Sequence, residues 1–380
     1  MLDVNRKIML KEMLARLVTL VDKHQHRLRI EKMKKTVILP NSSSAGLFKE
    51  LIITNKKEIK KGYKEESVDI LSFEPDLIND PIIKTQKIDC FFIERDKFRI
   101  THSDEFRSIK KLNNDKLSND ILTSIVYSLQ ENKEIDIWFD QTKHSQVVLI
   151  FLLSLISQHK EYQTQKLTIF RYCGVISSKS IDSFSKQKIE TINKSDNLIL
   201  KSLSIWNAMI SKDPSILHEI FEVESKNNDW IYYLIKEMLD AIPEKKTGLN
   251  KTERDLLSII DSSCSISFLE LSSKFSSTND QTVSWLELPS FLDRMKDLSL
   301  IEYTPPYQEA ELKKLVEDEI LTSKRNYYNL KIILTTNGKN VKLGINESLI
   351  ELKEKLIKEH KKNQKTFWLW DCESNKIIKL

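Results

Sequence analysis

Two short stretches place polar side chains where a binding or catalytic site could form. The first is Asn41-Ser42-Ser43-Ser44, which follows the apolar run Thr36 to Leu39 and the break at Pro40. The first N–H groups of a helix have no internal partner and carry the positive end of the helix dipole, so these hydroxyls and the backbone N–H groups after them suit an anion. Ser and Asn serve equally well as plain helix caps. The second stretch is Asp140 to Gln146, after the strand-like Ile135 to Phe139. Asp140 can orient the imidazole of His144, or both can touch a ligand together with Gln146. The competing reading is that His144 and Gln146 only fill the first turn of a helix, with Asp140 exposed. Glu74, Asp76 and Asp80 close a third apolar run, Val68 to Phe73. Asp76 joins the candidate ligand set, although an acid near proline is also ordinary turn chemistry. No metal site is assigned.

The missing signatures narrow the chemistry. No two glycines stand one residue apart, which excludes a Gly-x-Gly-x-x-Gly dinucleotide loop. The chain also lacks a Gly-x-x-x-x-Gly-Lys phosphate loop, a His-Glu-x-x-His helix and a Gly-x-Ser-x-Gly elbow. No cofactor is implied. The four cysteines, Cys90, Cys173, Cys264 and Cys372, are far apart and form no Cys-x-x-Cys pair. They read as reduced, mostly buried thiols in a reducing, cytoplasmic compartment.

The elements that must position these loops follow from hydrophobic patterning. Strand runs at Thr36–Leu39, Val68–Phe73, Ile135–Phe139 and Leu167–Tyr172 alternate with helical stretches. That alternation predicts an α/β domain with a mostly parallel sheet and flanking helices. Val147 to Leu153, extended by Leu155 and Ile156, is too short to span a membrane, which takes about 20 residues, and predicts a helix buried on most sides. After residue 198 the pattern turns helical, with candidates over 199–209, 214–223 and 229–241. Beyond Pro243 and Gly248, helices over 252–260, 269–275 and 289–298 precede two strands at 300–303 and 330–335. Three helices and a β-wing predict a winged-helix-like domain. A Lys-rich helix over 349–365 and a strand at 367–370 close the chain. Trp138, Trp206, Trp230 and Trp285 are expected in the core, whereas Trp368 and Trp370 alternate along a strand.

These observations divide the chain into an amphipathic helical arm (1–33), an α/β domain (34–198), a helical connector (199–245), a winged-helix-like domain (246–344) and a terminal piece (345–380). Met33 reads as a second start, which sets the arm apart. The boundary near 243–250 is expected to be an open linker, sensitive to proteolysis. Across 380 residues, 40% are apolar and 30% charged, with only 6 glycines and 8 prolines, which fits a folded, soluble chain rather than a disordered one. The 60 basic groups against 55 acidic ones leave a net charge of +5, too small to imply nucleic-acid binding by itself.

Several motifs, in order, resemble one family. They are Trp138-Phe139-Asp140 with His144-Ser145-Gln146; Trp206-Asn207-Ala208 with Asp213-Pro214; Gly248-Leu249 with Thr252-Glu253 and Leu256-Leu257; Leu334-Thr335 with Gly338; and Trp368-Leu369-Trp370-Asp371. The resemblance spans about residues 34–380. It is to a bacterial family of unknown function with an α/β N-terminal domain and a sigma-factor-like, winged-helix C-terminal domain. It implies a fold and a bacterial origin, but no activity. Asn41-Ser42-Ser43-Ser44 departs from the family's Asn-Gly-Asp-Ser and lacks its acid, so any chemistry done by that acid is lost here.

Three classes of function follow, the third being a purely structural adaptor. The first is a regulatory or interaction protein with a small-ligand or partner site on its α/β domain, its partner being another protein or a small anionic ligand. The second is an enzyme acting on a phosphorylated or nucleotide-like substrate at the strand ends, or a winged-helix DNA-binding regulator. The third helix of the winged-helix-like domain carries Asp293, Arg294, Lys296 and Asp297, with no net charge, a poor probe of a phosphate backbone. Nucleic acid, if bound, is expected without sequence preference through the Lys-rich helix, and no membrane partner is expected.

Overall fold

The computed structural model describes residues 35–53, 63, 68–75, 77, 82–85, 87–101, 115–159, 166–174, 176, 188–192, 194–211, 213–227, 229–278, 288–304, 312, 314–316, 330–363 and 368–379. The expected arm over 1–33, Asp76, Asp80 and Trp285 lie outside these residues. The chain divides into two compact units, Met1–Ser211 and Lys212–Leu380.

The first unit is built on a five-stranded sheet. Its strands are β1 (Lys35–Leu39), β2 (Val68–Ser72), β3 (Glu134–Phe139), β4 (Leu167–Tyr172) and β5 (Ile189–Ile192), in the order β2-β1-β3-β4-β5. β1 runs parallel to both β2 and β3, β3 parallel to β4, and β5 antiparallel to β4. A parallel sheet covered on both faces needs nearly continuous apolar strands. Val37, Ile38, Leu39, Ile135, Ile137, Trp138 and Phe139 supply them, all buried.

The polar exceptions inside the sheet are partnered. Thr36 Oγ1 lies 2.9 Å from Ser128 Oγ. Asp136 accepts from Lys35 Nζ at 2.9 Å and from the hydroxyl of Tyr63. Burial, then the charge and hydrogen bond of Asp136, pushes the Tyr63 hydroxyl well above the usual phenol range.

The helices of this unit are α1 (Ser42–Ile53), α2 (Phe91–Thr101), α3 (Asp115–Gln130), α4 (Lys143–Ser157) and α5 (Asp196–Ser211). α4 is buried from Ser145 through Ile156, as its sequence predicts. α5 packs along it, and Trp206 of α5 reaches Phe151 of α4 at a centroid distance of 5.0 Å and Phe91 of α2 at 5.6 Å. This packing is why the unit runs on to Ser211 rather than ending at 198. The helix assigned from sequence to the start of a connector is one wall of the α/β core. Arg95 on α2 is fully buried, its guanidinium over the rings of Phe91 and Phe92.

The second unit opens with α6 (Pro214–Glu224) and α7 (Trp230–Asp240), each capped by an aspartate: Asp213 Oδ1 accepts from Ser215 N, and Asp229 Oδ1 from Ile231 N and Tyr232 N. Next come α8 (Lys251–Ser262), β6 (Ile266–Ser267), α9 (Phe268–Thr278), α10 (Leu288–Asp297), β7 (Ile301–Tyr303), β8 (Lys331–Leu334), α11 (Thr336–Leu343) and α12 (Asn346–Asn363). The chain closes with the hairpin β9 (Trp368–Asp371) and β10 (Lys376–Lys379).

β6, β8 and β7 form an antiparallel sheet in that order. Leu256, Leu257, Ile260, Leu292, Met295 and Ile332 bury the faces of these elements in one core. Two glycines are required here. Gly248 sits at φ +74, and a Cβ there would come within 2.6 Å of Leu356 Cδ1. Gly338, on α11, packs its backbone directly against the carbonyl of Leu300.

Residues 243–250 are not an open linker. Trp370 N donates to Pro243 O and Lys245 N to Trp370 O, both at 2.8 Å. Trp370 Nε1 donates to Asp240 Oδ1 at 3.1 Å, and His218 Nε2 lies 2.7 Å from Asn375 O in the hairpin turn. The terminal hairpin therefore packs on α6 and α7, and the pieces read from sequence as connector and terminal segment belong to one unit. The cysteines are not buried as expected: Cys90 and Cys173 are half-buried, and Cys264 and Cys372, both at turns, are exposed. Among the described residues no helix is long and apolar enough to cross a membrane.

Candidate functional site

The candidate site lies at the carboxyl edge of β1 and β3 in the first unit. β1 continues through α1 to β2 on one side, whereas β3 lies on the other side of β1. The strand order thus reverses between β1 and β3. In open α/β sheets this switch point opens a crevice outside the strand ends, where ligands bind. Parallel neighbours sit about 4.8 Å apart. Ile38 pairs with Ile137, and Asn41 and Asp140 each lie three residues further on. The two loops singled out from sequence therefore start level with each other, on adjacent strands.

At the first loop, Asn41 caps α1. Its Oδ1 accepts from Ser44 N at 2.7 Å, Ser44 Oγ donates to Asn41 O at 2.7 Å, and Asn41 N donates to Ser44 Oγ at 3.3 Å. Ser44 is buried, and its hydroxyl is committed to the cap. Ser43 is exposed. Ser42 meets an acid: Glu74 Oε2 accepts from Ser42 N at 3.1 Å and from Ser42 Oγ at 3.2 Å. Ser72 Oγ donates to Ser42 Oγ at 3.3 Å. A side-chain carboxylate thus already occupies the place where an external anion would meet the helix.

At the second loop, Asp140 is buried, not exposed. Its Oδ1 accepts from Thr142 N at 3.0 Å and from Thr142 Oγ1 at 2.6 Å, and its Oδ2 accepts from Ile176 N at 3.0 Å. Its own N–H donates to Ser145 Oγ at 2.9 Å. Asp140 is thereby the brace that shapes the turn into α4 and ties down the chain after β4. Gln141 N donates to Gly174 O at 3.3 Å across the same gap. Thr142 caps α4, accepting from Ser145 N. Gln146 is buried and donates from Nε2 to Gln141 O at 3.0 Å. His144 stands half-buried in the first turn of α4. Burial first, and the charge of Asp140 second, pushes the Tyr172 hydroxyl upward.

The site that emerges differs from the sequence expectation in its division of labour. Asn41, Ser44, Asp140 and Gln146 hold the two loops in shape. Ser42, Ser43 and His144 are the members set at the starts of the two helices. In sequence Glu74 reads only as part of an acidic turn, and its contact with Ser42 depends on the pairing of β1 with β2. Thr142 and Ser145 were missed, yet Asp-x-Thr before a helical run is the signature of an Asx turn followed by a cap.

No family model matches the chain, and no curated protein matches it. The family resemblance rests on the ordered motifs alone.

Proposed function

We propose that this chain is a regulatory or interaction protein whose α/β unit binds a small ligand or partner at the β1/β3 switch point. The observation that carries the reading is the reversal of strand order there, with two polar, helix-opening loops side by side at that edge. An enzyme needs polar groups left to converge on a reacting atom. The acid best placed for that role, Asp140, is consumed by three donors of its own loops. Binding is therefore favoured over catalysis.

The test is hydrogen exchange on the full chain, alone and with adenine nucleotides, inorganic phosphate or citrate. A ligand of this site should protect residues 41–46 and 140–146 together. A ligand that binds tightly and protects neither stretch, or only one, would overturn the reading. If the ligand is anionic, Glu74 competes with it at α1. Glu74→Gln should then raise affinity about 2–5-fold by calorimetric titration, since removing a like charge at a helix start is worth up to about 1 kcal/mol. Unchanged or weaker affinity would place the anion elsewhere.

For the second unit we favour a winged-helix-like module used for protein contact. Supporting it are the element order α8-β6-α9-α10-β7-β8 and the sheet order β6-β8-β7. In such modules the third helix reads DNA. Here that helix is α10, and three of its four charged side chains are engaged within the unit, while Asp297 is exposed. Arg294 lies 2.8 Å from the fully buried Glu253, Asp293 accepts from Tyr303 and from Leu312 N at 2.7 Å each, and Lys296 sits over the Tyr303 ring.

Titration of the full chain against duplex DNA should give at most weak binding that disappears at moderate salt. Tight, sequence-selective binding that is lost in Arg294→Ala would show that α10 is a reading helix after all.

A further inference from the structure

We draw no further inference here: the strongest candidate, the apolar stripe that Ile216, Ile220 and Val223 form along the solvent side of α6, carries nothing because nothing in the structure shows what covers it.

Discussion

Gly338→Ala should destabilise the C-terminal unit by about 3 kcal/mol or more, against an ordinary overpacking cost of about 1–3 kcal/mol. For a unit of this size that corresponds to a melting temperature lower by about 6–12 °C. Two effects oppose each other at this position. Alanine is the better helix former, worth about 0.5–1 kcal/mol over glycine in a helix interior. Its Cβ, however, would run into the carbonyl of Leu300, which is backbone and cannot rotate aside. Leu300 is itself held, because its carbonyl accepts from Thr335 N at 3.1 Å and from Thr335 Oγ1 at 3.1 Å. Relieving the clash means separating α11 from the strand end it packs on. Gly344→Ala is the internal control. That glycine is left-handed at φ +74 with nothing within 4 Å of its would-be Cβ, so only the conformational cost, about 1–2 kcal/mol, applies. Calorimetric melting of both variants separates the two causes. A Gly338→Ala protein as stable as the parent would refute the close approach.

Asp140→Ala should cost the α/β unit about 3–5 kcal/mol, since each buried group left without its partner costs about 1–3 kcal/mol. Three donors lose their acceptor at once, and two of them, Thr142 N and Ile176 N, are backbone groups. Asp140→Asn keeps one acceptor oxygen and should fall between the parent and the alanine variant. Urea denaturation reads the loss of stability. Hydrogen exchange at the Ile176 amide reads its cause, because that proton is bonded to the carboxylate. Full protection of Ile176 in the alanine variant would show that Asp140 is not the brace. The same variant bears on function. If the loops lose their shape, ligand binding should fall with stability, whereas a catalytic acid would abolish turnover and leave the fold intact.

The parts of the fold legible in the sequence are those whose signal is local. Apolar runs mark β1 to β4, and the uninterrupted apolar stretch of α4 marks a helix covered all round. β5 escaped notice because Ile189-Glu190-Thr191-Ile192 is short and partly exposed, so alternation over four residues does not stand out. α2 was hidden by Glu94-Arg95-Asp96-Lys97, a charged run whose Arg95 is nonetheless buried. The extent of the first unit depends on Trp206 meeting Phe91 and Phe151, which no local pattern announces. The site shows the same division. That two polar loops open helices after strands could be read directly. That Asp140 is claimed by Ile176, and Ser42 by Glu74, depends on residues 36 and 32 positions away.

The hairpin β9–β10 has a consequence for how the protein is made. α6 and α7 are among the first parts of their unit to leave the ribosome, yet the partner that covers them comes last. His218 meets Asn375 across 157 positions. At ordinary elongation rates of about 5–20 residues per second, that separation leaves the part of α6 that packs on the hairpin uncovered for about 8–30 s, although α7 can cover the rest much sooner. The edge of Phe221 that ends up against Trp370 is open to other chains and to chaperones during that interval. Closing so long a loop also places this contact late in folding, after the local helices and the β7–β8 pairing. A nascent chain stalled before residue 368 should therefore hold a C-terminal unit that is helical but still sensitive to protease around residues 214–245.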